Sequence, residues 1–179
     1  CTDDSSAAAT ASDSYVLTVT NTNDAPTLAT AQADASTAED ALYTLDVSGN
    51  FADVDVGDSL SYTATGMPTT MTMSTAGVLS GTPVNADVAA HTVVVTATDG
   101  TASVTDTFDV TVTNTNDAPT VASAISDVSS AEDAAYSLDV SGTCTDVDVG
   151  DSLAYTMSGA PSTLSIASGT ISGTPLNAD

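Results

Sequence analysis

The residues with the clearest chemical potential are clustered aspartates. The pattern Asp-Val-Asp-Val-Gly-Asp occurs twice, beginning at residues 53 and 146. Several carboxylates at one place are what a hard cation selects, and calcium takes about six to eight oxygen ligands, whereas magnesium keeps much of its water. Zinc or copper would require clustered His or Cys, but the chain has 1 His and 2 separated Cys. The pattern therefore favours calcium. Its candidate ligands are Asp53, Asp55, Asp58, Asp146, Asp148 and Asp151.

The charge balance limits the partners of the chain. It has 24 acidic residues and no Lys or Arg, which gives a formal net charge of −24. A surface without basic side chains cannot neutralise phosphates, so nucleic acid and anionic membrane surfaces are excluded as partners. No stretch approaches the length of a transmembrane helix, so membrane insertion is not expected either. Metal cations remain as the strong counter-charge for the carboxylates.

The same composition argues against catalysis. One His and no Lys or Arg leave few general acids or bases besides the carboxylates. Two clustered carboxylates could act as a glycosidase pair, but each of them is better placed as a metal ligand. The sequence therefore predicts that the chain is not an enzyme.

Internal repeats organise the chain. Asn-Thr-Asn-Asp-Ala-Pro-Thr begins at residues 21 and 114, and Ala-Glu-Asp begins at residues 38 and 131. We interpret residues 21–113 as one complete repeat, residues 114–179 as the front part of a following repeat, and residues 1–20 as the rear part of a preceding one. The chain is thus predicted to be a slice of a tandem array.

The elements that must position the aspartates are strands. Apolar and polar residues alternate through Tyr43–Val47, Leu60–Ala64 and Phe108–Val112, while His91–Thr98 is mostly β-branched. Gly, Asn, Asp and Pro separate these runs every 8 to 12 residues or so. About seven short strands per repeat predict an all-β fold of tandem antiparallel Greek-key β-sandwiches.

Several of these motifs together resemble the cadherin-like repeats of bacterial surface proteins, especially the dystroglycan-type and immunoglobulin-like modules. They are Asn-Asp-Ala-Pro at each junction, the Asp-x-Asp pairs, Thr96-Ala-Thr-Asp-Gly100 and Leu79-Ser-Gly-Thr-Pro83. The resemblance implies a cadherin- or immunoglobulin-like fold, an extracellular position at the cell surface, and Ca²⁺ bound between domains.

Carrying the family pattern over residue by residue gives two clusters. The first would comprise Asn23, Asp24, Asp53, Asp55 and Asp99, with help from Asp58 and from Asn21 through a carbonyl. The second would comprise Glu39, Asn116, Asp117, Asp146 and Asp148. Glu132 would serve a third junction beyond this chain.

Two departures from the family pattern imply fewer or weaker ions per junction. Asn21 and Asn114 stand where the cadherin linker has an acid, and Ser-Gly-Thr-Pro replaces the acidic triplet in the middle of the domain. The alternative interpretation is that the aspartates form a solvated acidic surface, as in salt-adapted proteins. Calcium is favoured because the acids recur at motif positions.

The two cysteines occupy different places in the repeat. Cys144 lies two residues before the second Asp-x-Asp, and Cys1 aligns two residues before the position of Asp99. Cys144 could pair with a cysteine placed like Cys1, supplied by another subunit or a continuing repeat. Free thiols are the alternative.

These observations predict a structural repeat of an extracellular, calcium-stiffened surface fibre or adhesin shaft. Its partners would be neighbouring repeats or copies of itself in a linear array, together with a surface ligand. The alternative is a β-sandwich module of a secreted protein that binds carbohydrate or protein, and a third option is the accessory domain of an enzyme.

Overall fold

The computed structural model describes residues 1–2 and 10–177, and these residues form an all-β structure. The strands of the first unit are β1 Thr27–Leu28, β2 Ala35–Ala38, β3 Tyr43–Asp46, β4 Phe51–Ala52, β5 Ser61–Thr65, β6 Met71–Met73, β7 Val78–Gly81, β8 Ala90–Thr98 and β9 Ser103–Thr113. Short 3₁₀ helices span Ser48–Asn50 and Asn85–Asp87. The long runs predicted as strands are β3, β5, β8 and β9, because alternating or β-branched side chains suit a sheet that is buried on one face.

The first unit is a β-sandwich, which confirms the predicted fold class. One sheet has the order β2-β9-β8-β5, the other has β3-β7-β6, and β1 pairs with β4 beside them. Alternate residues of β7, β8 and β9 point inward, so that Leu79, Val93, Val95 and Val110 are fully buried. Phe51 and Tyr62 close this core with an edge-to-face ring contact at 5.7 Å.

One strand pairing differs from the predicted antiparallel arrangement. Residues 35–38 of β2 pair in parallel with residues 110–113 of β9. The physical reason lies in tandem connection: the chain enters a unit at one end and leaves it at the other. The entering and leaving strands therefore run in the same direction, and they pair in parallel when they are neighbours.

The second unit repeats part of this architecture. Its strands in the described residues are β10 Thr120–Val121, β11 Tyr136–Asp139, β12 Cys144–Thr145, β13 Leu164–Ala167 and β14 Thr170–Gly173. The order β11-β14-β13 corresponds to β3-β7-β6, and β10 pairs with β12 as β1 pairs with β4. The inner face of this sheet borders an open cavity of about 590 Å³, lined by Leu138, Leu164 and Ile171 among others.

The segment before the first unit carries no strand between residues 11 and 20. Tyr15, Val16 and Leu17 are exposed there. Its interpretation as the rear strand of a preceding repeat therefore stays a prediction.

Candidate metal centre

The acidic loop after β4 folds its three aspartates together. Asp53 Oδ1 accepts a hydrogen bond from the backbone N–H of Asp55 at 2.9 Å, and the N–H of Asp58 reaches the carbonyl oxygen of Asp55 at 3.3 Å. Gly57 has a φ of 105°, a conformation that a residue with a Cβ rarely adopts. The turn at Gly57 directs Asp58 towards the two preceding aspartates. Carboxylate oxygens of all three lie within 4.8 Å of one another.

The loop after β12 has the same geometry. Asp146 Oδ1 accepts from the N–H of Asp148 at 3.0 Å, and Gly150 has a φ of 102°. Asp146, Asp148 and Asp151 again offer oxygens within 4.8 Å of one another. Because two copies of one short sequence adopt one geometry, the loop conformation is set locally.

Each linker is tied to the acidic loop that follows it. The backbone N–H of Asp24 donates to Asp55 Oδ2 at 2.7 Å, and the N–H of Asp117 donates to Asp148 Oδ2 at 2.7 Å. Asn23 and Asn116 each turn their side-chain amide to the carbonyl oxygen of the following residue, at 2.9 Å. The Asn-Asp-Ala-Pro motif thus joins the linker to the acidic loop by hydrogen bonds.

Asp99 completes the first cluster from the loop between β8 and β9. The backbone N–H groups of Ala102 and Thr101 donate to its Oδ1 at 2.7 and 2.6 Å and lower the pKa of this carboxyl, to which the Asn23 amide contributes less. Asn23 Nδ2 reaches Asp99 Oδ2 at 3.1 Å. The carboxylate therefore stays ionised beside the linker.

Glu39 comes to the second cluster from the end of β2. Asp40 adopts a φ of 58°, which Asp tolerates better than most residues, and its N–H donates to the carbonyl oxygen of Pro83. Glu39, which precedes Asp40, is only 1% exposed. Its Oε1 accepts from the N–H of Thr115 at 2.9 Å, while its Oε2 is buried without a hydrogen-bond partner among the described residues.

Two asparagines reach the second cluster and were not predicted as site residues. Asn85 Nδ2 donates to Asp148 Oδ1 at 2.9 Å, across 63 positions of sequence. One terminal atom of the Asn114 amide lies 3.1 Å from both Glu39 Oε1 and Asp148 Oδ1, and placing Nδ2 there lets it donate to both. A sequence signal for Asn85 existed, since Asn-Ala-Asp follows Thr-Pro-x at residues 85 and 177 alike.

The position of Asn85 depends on a buried carboxylate next to it. Asp87, 1% exposed, accepts from Thr69 N and Thr69 Oγ1 at 2.8 Å each, from Thr70 Oγ1 at 2.7 Å and from Val84 N at 3.3 Å. Burial alone would raise the pKa of Asp87, but these hydrogen bonds outweigh it and lower the pKa to about 2. His91 Nε2 lies 2.7 Å from the carbonyl oxygen of Asp87. The 85–87 helix is therefore fixed at several points.

Asp87→Asn should lower the free energy of unfolding at neutral pH. It should also make the free energy of unfolding depend less on pH in acid. The pKa is lowered in the folded state, so its contribution is present above the ordinary value of 3.8 and is lost as the pH falls towards about 2. We expect the free energy of unfolding at pH 6 to fall by roughly 2 kcal/mol in Asp87→Asn, because the amide opposes donors to a buried group. At pH 2 the difference should shrink.

Urea unfolding at pH 6 and pH 2 measures both effects. Asp133→Asn, the same charge change at an exposed residue, serves as the control and should change little. Equal losses for the two variants at pH 6 would contradict this role of Asp87.

The structure brings most of the predicted residues together. The first cluster contains Asn23, Asp24, Asp53, Asp55, Asp58 and Asp99. The second contains Glu39, Asn116, Asp117, Asp146, Asp148 and Asp151. Glu132 is apart from both clusters and exposed at the cavity, and its role at a third junction stays a prediction.

The two cysteines are both free thiols, Cys1 exposed and Cys144 half-buried. Their pairing with another subunit stays a prediction.

Two solved structures illustrate what the chain is similar to. Among solved structures it is similar to the endo-fucoidan hydrolase MfFcnA4_H294Q of glycoside hydrolase family 107, with 27% identity, 90% of this chain covered and a TM-score of 0.45. It spans 26% of the length of that hydrolase. It is also similar to the human desmocollin-1 ectodomain, with 18% identity, 89% of this chain and 33% of that chain covered and a TM-score of 0.44.

No curated protein matches the chain. Among the described residues, no helix has the length and apolar character needed to cross a membrane. A family model described as "Putative Ig domain" (He_PIG) matches residues 25–113 and again residues 118–179. The chain therefore belongs to the Putative Ig domain family.

Proposed function

We propose that the chain is a structural segment of an extracellular surface fibre or adhesin shaft, in which calcium bound at the boundary between β-sandwich units fixes their relative orientation. Its partners are neighbouring repeats or further copies of the chain in a linear array. The proposal gives the chain no catalytic role.

One observation carries the proposal: a buried carboxylate oxygen that lacks a partner. Glu39 Oε2 is buried without a hydrogen bond among the described residues, in a chain with no Lys or Arg. Burying an ionised carboxylate is costly unless a counter-charge compensates it. Asp53 Oδ2, in the first acidic loop, is buried and unpartnered in the same way. A cation at each place would satisfy these oxygens.

The donor set fits calcium in kind and in number. All the groups are carboxylate or amide oxygens, which a hard cation prefers over nitrogen or sulfur. When bound, calcium supplies two positive charges to a cluster that otherwise holds only negative ones. The residues that would hold it at the second cluster are Glu39, Asn116, Asp117, Asp146, Asp148 and Asp151.

The origin of these groups explains why the site would stiffen the array. Glu39 belongs to the first unit, Asp117 to the linker, and Asp148 to the second unit. A site assembled from three parts of the chain is complete only when the two units keep one orientation. Extracellular modules of this kind bind calcium at roughly 10⁻⁴ to 10⁻³ M, which suits a position outside the cell.

Thermal unfolding and small-angle scattering of the whole chain, with millimolar calcium or with a chelator, test the proposal. We expect calcium to raise the melting temperature by a few degrees, because an ion present at about 10 times its Kd, as about 1 mM calcium is for a Kd of about 10⁻⁴ M, stabilises the folded state by about 1.4 kcal/mol. We also expect a longer and stiffer particle. Magnesium at the same concentration controls for screening of the net charge, and equal effects of the two ions would contradict a specific calcium site.

A further inference from the structure

We propose that the side-chain amides of Asn85 and Asn114 hold the two units in register when no ion is bound. In the second cluster, a carboxylate of the first unit lies close to carboxylates of the second unit. Negative charges this close to each other repel. The chain has no Lys or Arg to compensate them. Any ion-free attraction between these carboxylates must therefore come from neutral N–H and O–H donors.

Asn114 lies where the two units meet. With its nitrogen towards the cluster, it donates at 3.1 Å to Glu39 Oε1 of the first unit and at 3.1 Å to Asp148 Oδ1 of the second. Hydrogen bonds from a neutral donor to an ionised acceptor are stronger than neutral ones. One amide thus joins two carboxylates that would otherwise separate.

Asn85 provides a second tie, from a different part of the first unit. Its Nδ2 donates to Asp148 Oδ1 at 2.9 Å, and its helix is anchored by the buried Asp87. Because Asp87 fixes the backbone next to it, Asn85 loses little conformational freedom in making this bond. The amide therefore acts as a positioning group for Asp148.

The identity of the side chain matters for the switch between states. A side-chain amide has an NH₂ donor on one side and a carbonyl oxygen acceptor on the other. Rotating the amide by half a turn exchanges the positions of the two groups. An acid at either position would only add repulsion in the ion-free state. Asparagine can thus stabilise the boundary without an ion and still offer an oxygen to one.

Amide hydrogen exchange of the whole chain in chelator, followed residue by residue, tests the inference. Its reporters are the N–H groups of Thr115 and Asp117 in the linker, which donate to Glu39 of the first unit and to Asp148 of the second unit, respectively. We expect Asn114→Leu and Asn114→Asp each to speed exchange at these two N–H groups about tenfold, the first by removing the donor and the second by adding a charge. Asn85→Leu should act in the same direction.

The repeat supplies a matched control. Asn177 has the position of Asn85 in the second unit and is exposed, so Asn177→Leu should leave both reporters within a factor of two of the parent chain. Exchange at Val95, in the core of the first unit, shows that each variant is folded. Unchanged exchange at Thr115 and Asp117 in the Asn114 and Asn85 variants would overturn the inference.

A calcium arm separates this inference from the proposed function. If calcium slows exchange at the reporters in the parent chain and the variants exchange faster in chelator, the calcium proposal and the amide inference are both supported. If calcium changes nothing while the variants still exchange faster in chelator, the amide ties stand and the calcium proposal fails. The reverse pattern overturns the amide inference alone.

Discussion

Replacing Glu39 by Gln should weaken the proposed calcium binding at least tenfold, while the same replacement at Glu132 should leave it unchanged. The two glutamates occupy the same place in the repeat, within Ala-Glu-Asp. Glu39 is buried and accepts a hydrogen bond from the linker residue Thr115, whereas Glu132 is exposed. The number of charged ligands tunes calcium affinity over orders of magnitude, so the loss of one buried carboxylate has a large effect.

Isothermal titration with calcium measures this difference. Glutamine keeps the shape of Glu39 and can still accept the N–H of Thr115, so the variant should fold normally. In chelator we expect Glu39→Gln to be no less stable than the parent chain, because a buried charge has been removed. Equal affinities for the two variants would show that the Glu39 carboxylate is not a ligand.

Replacing Asp148 by Asn should remove the second proposed calcium site and leave the first intact. Asp148 is 5% exposed and accepts from Asp117 N, Asn85 and Asn114, so it connects the linker, the first unit and the loop of the second unit. An amide in its place turns an N–H towards one of these donors. Leaving a buried donor unsatisfied commonly costs about 1–3 kcal/mol, and the ligand is lost as well.

The repeat again provides the counterpart. Asp55→Asn makes the same change in the first loop, where Asp55 is 8% exposed and accepts from the N–H of Asp24. Calcium stoichiometry, measured by equilibrium dialysis, should fall in both variants, each through loss of a different site. If Asp148→Asn binds as much calcium as the parent chain, the carboxylates of the second loop are only solvated surface.

Local features were the most predictable from sequence. The acidic loops and their glycines form from six consecutive residues, so Asp53 and Asp55 could be recognised without knowledge of the fold. The strands with strict alternation, such as β3 and β9, were predicted for the same reason. Resemblance to cadherin-like repeats added Glu39, whose distance along the chain from Asp148 gives no local signal.

Long-range features escaped prediction. The parallel pairing of β2 with β9 depends on where the chain enters and leaves a unit, which no short pattern encodes. Asn85 was missed because its importance arises only when the 85–87 helix lies beside the loop of the next unit. Asp87 is not among the residues predicted from sequence, although its buried carboxylate accepts hydrogen bonds from Thr69 and Thr70. Comparing the recurring Asn-Ala-Asp motif between the repeats would have drawn attention to both.

The absence of basic side chains connects these results. Most proteins offset buried carboxylates with Lys or Arg, whereas this chain uses hydroxyl, backbone and amide donors, as at Asp87 and Asp148. Such donors satisfy a carboxylate at Asp87, where four of them converge. At Glu39 the donors satisfy one oxygen, and the other is buried without a hydrogen-bond partner in the described part of the chain. The boundary between the units is therefore where an ion has the most to contribute.

A calcium titration followed by the backbone amide resonances of the whole chain tests the central claim most directly. The account predicts saturable shifts at the linkers, the two acidic loops and the end of β2, namely residues 23–24, 39–40, 53–58, 99–102, 114–117 and 146–151. Acids outside the clusters, such as Asp34 and Asp109, should shift little. Small, unsaturated shifts spread evenly over all the aspartates would contradict the account and leave the carboxylates as a solvated surface.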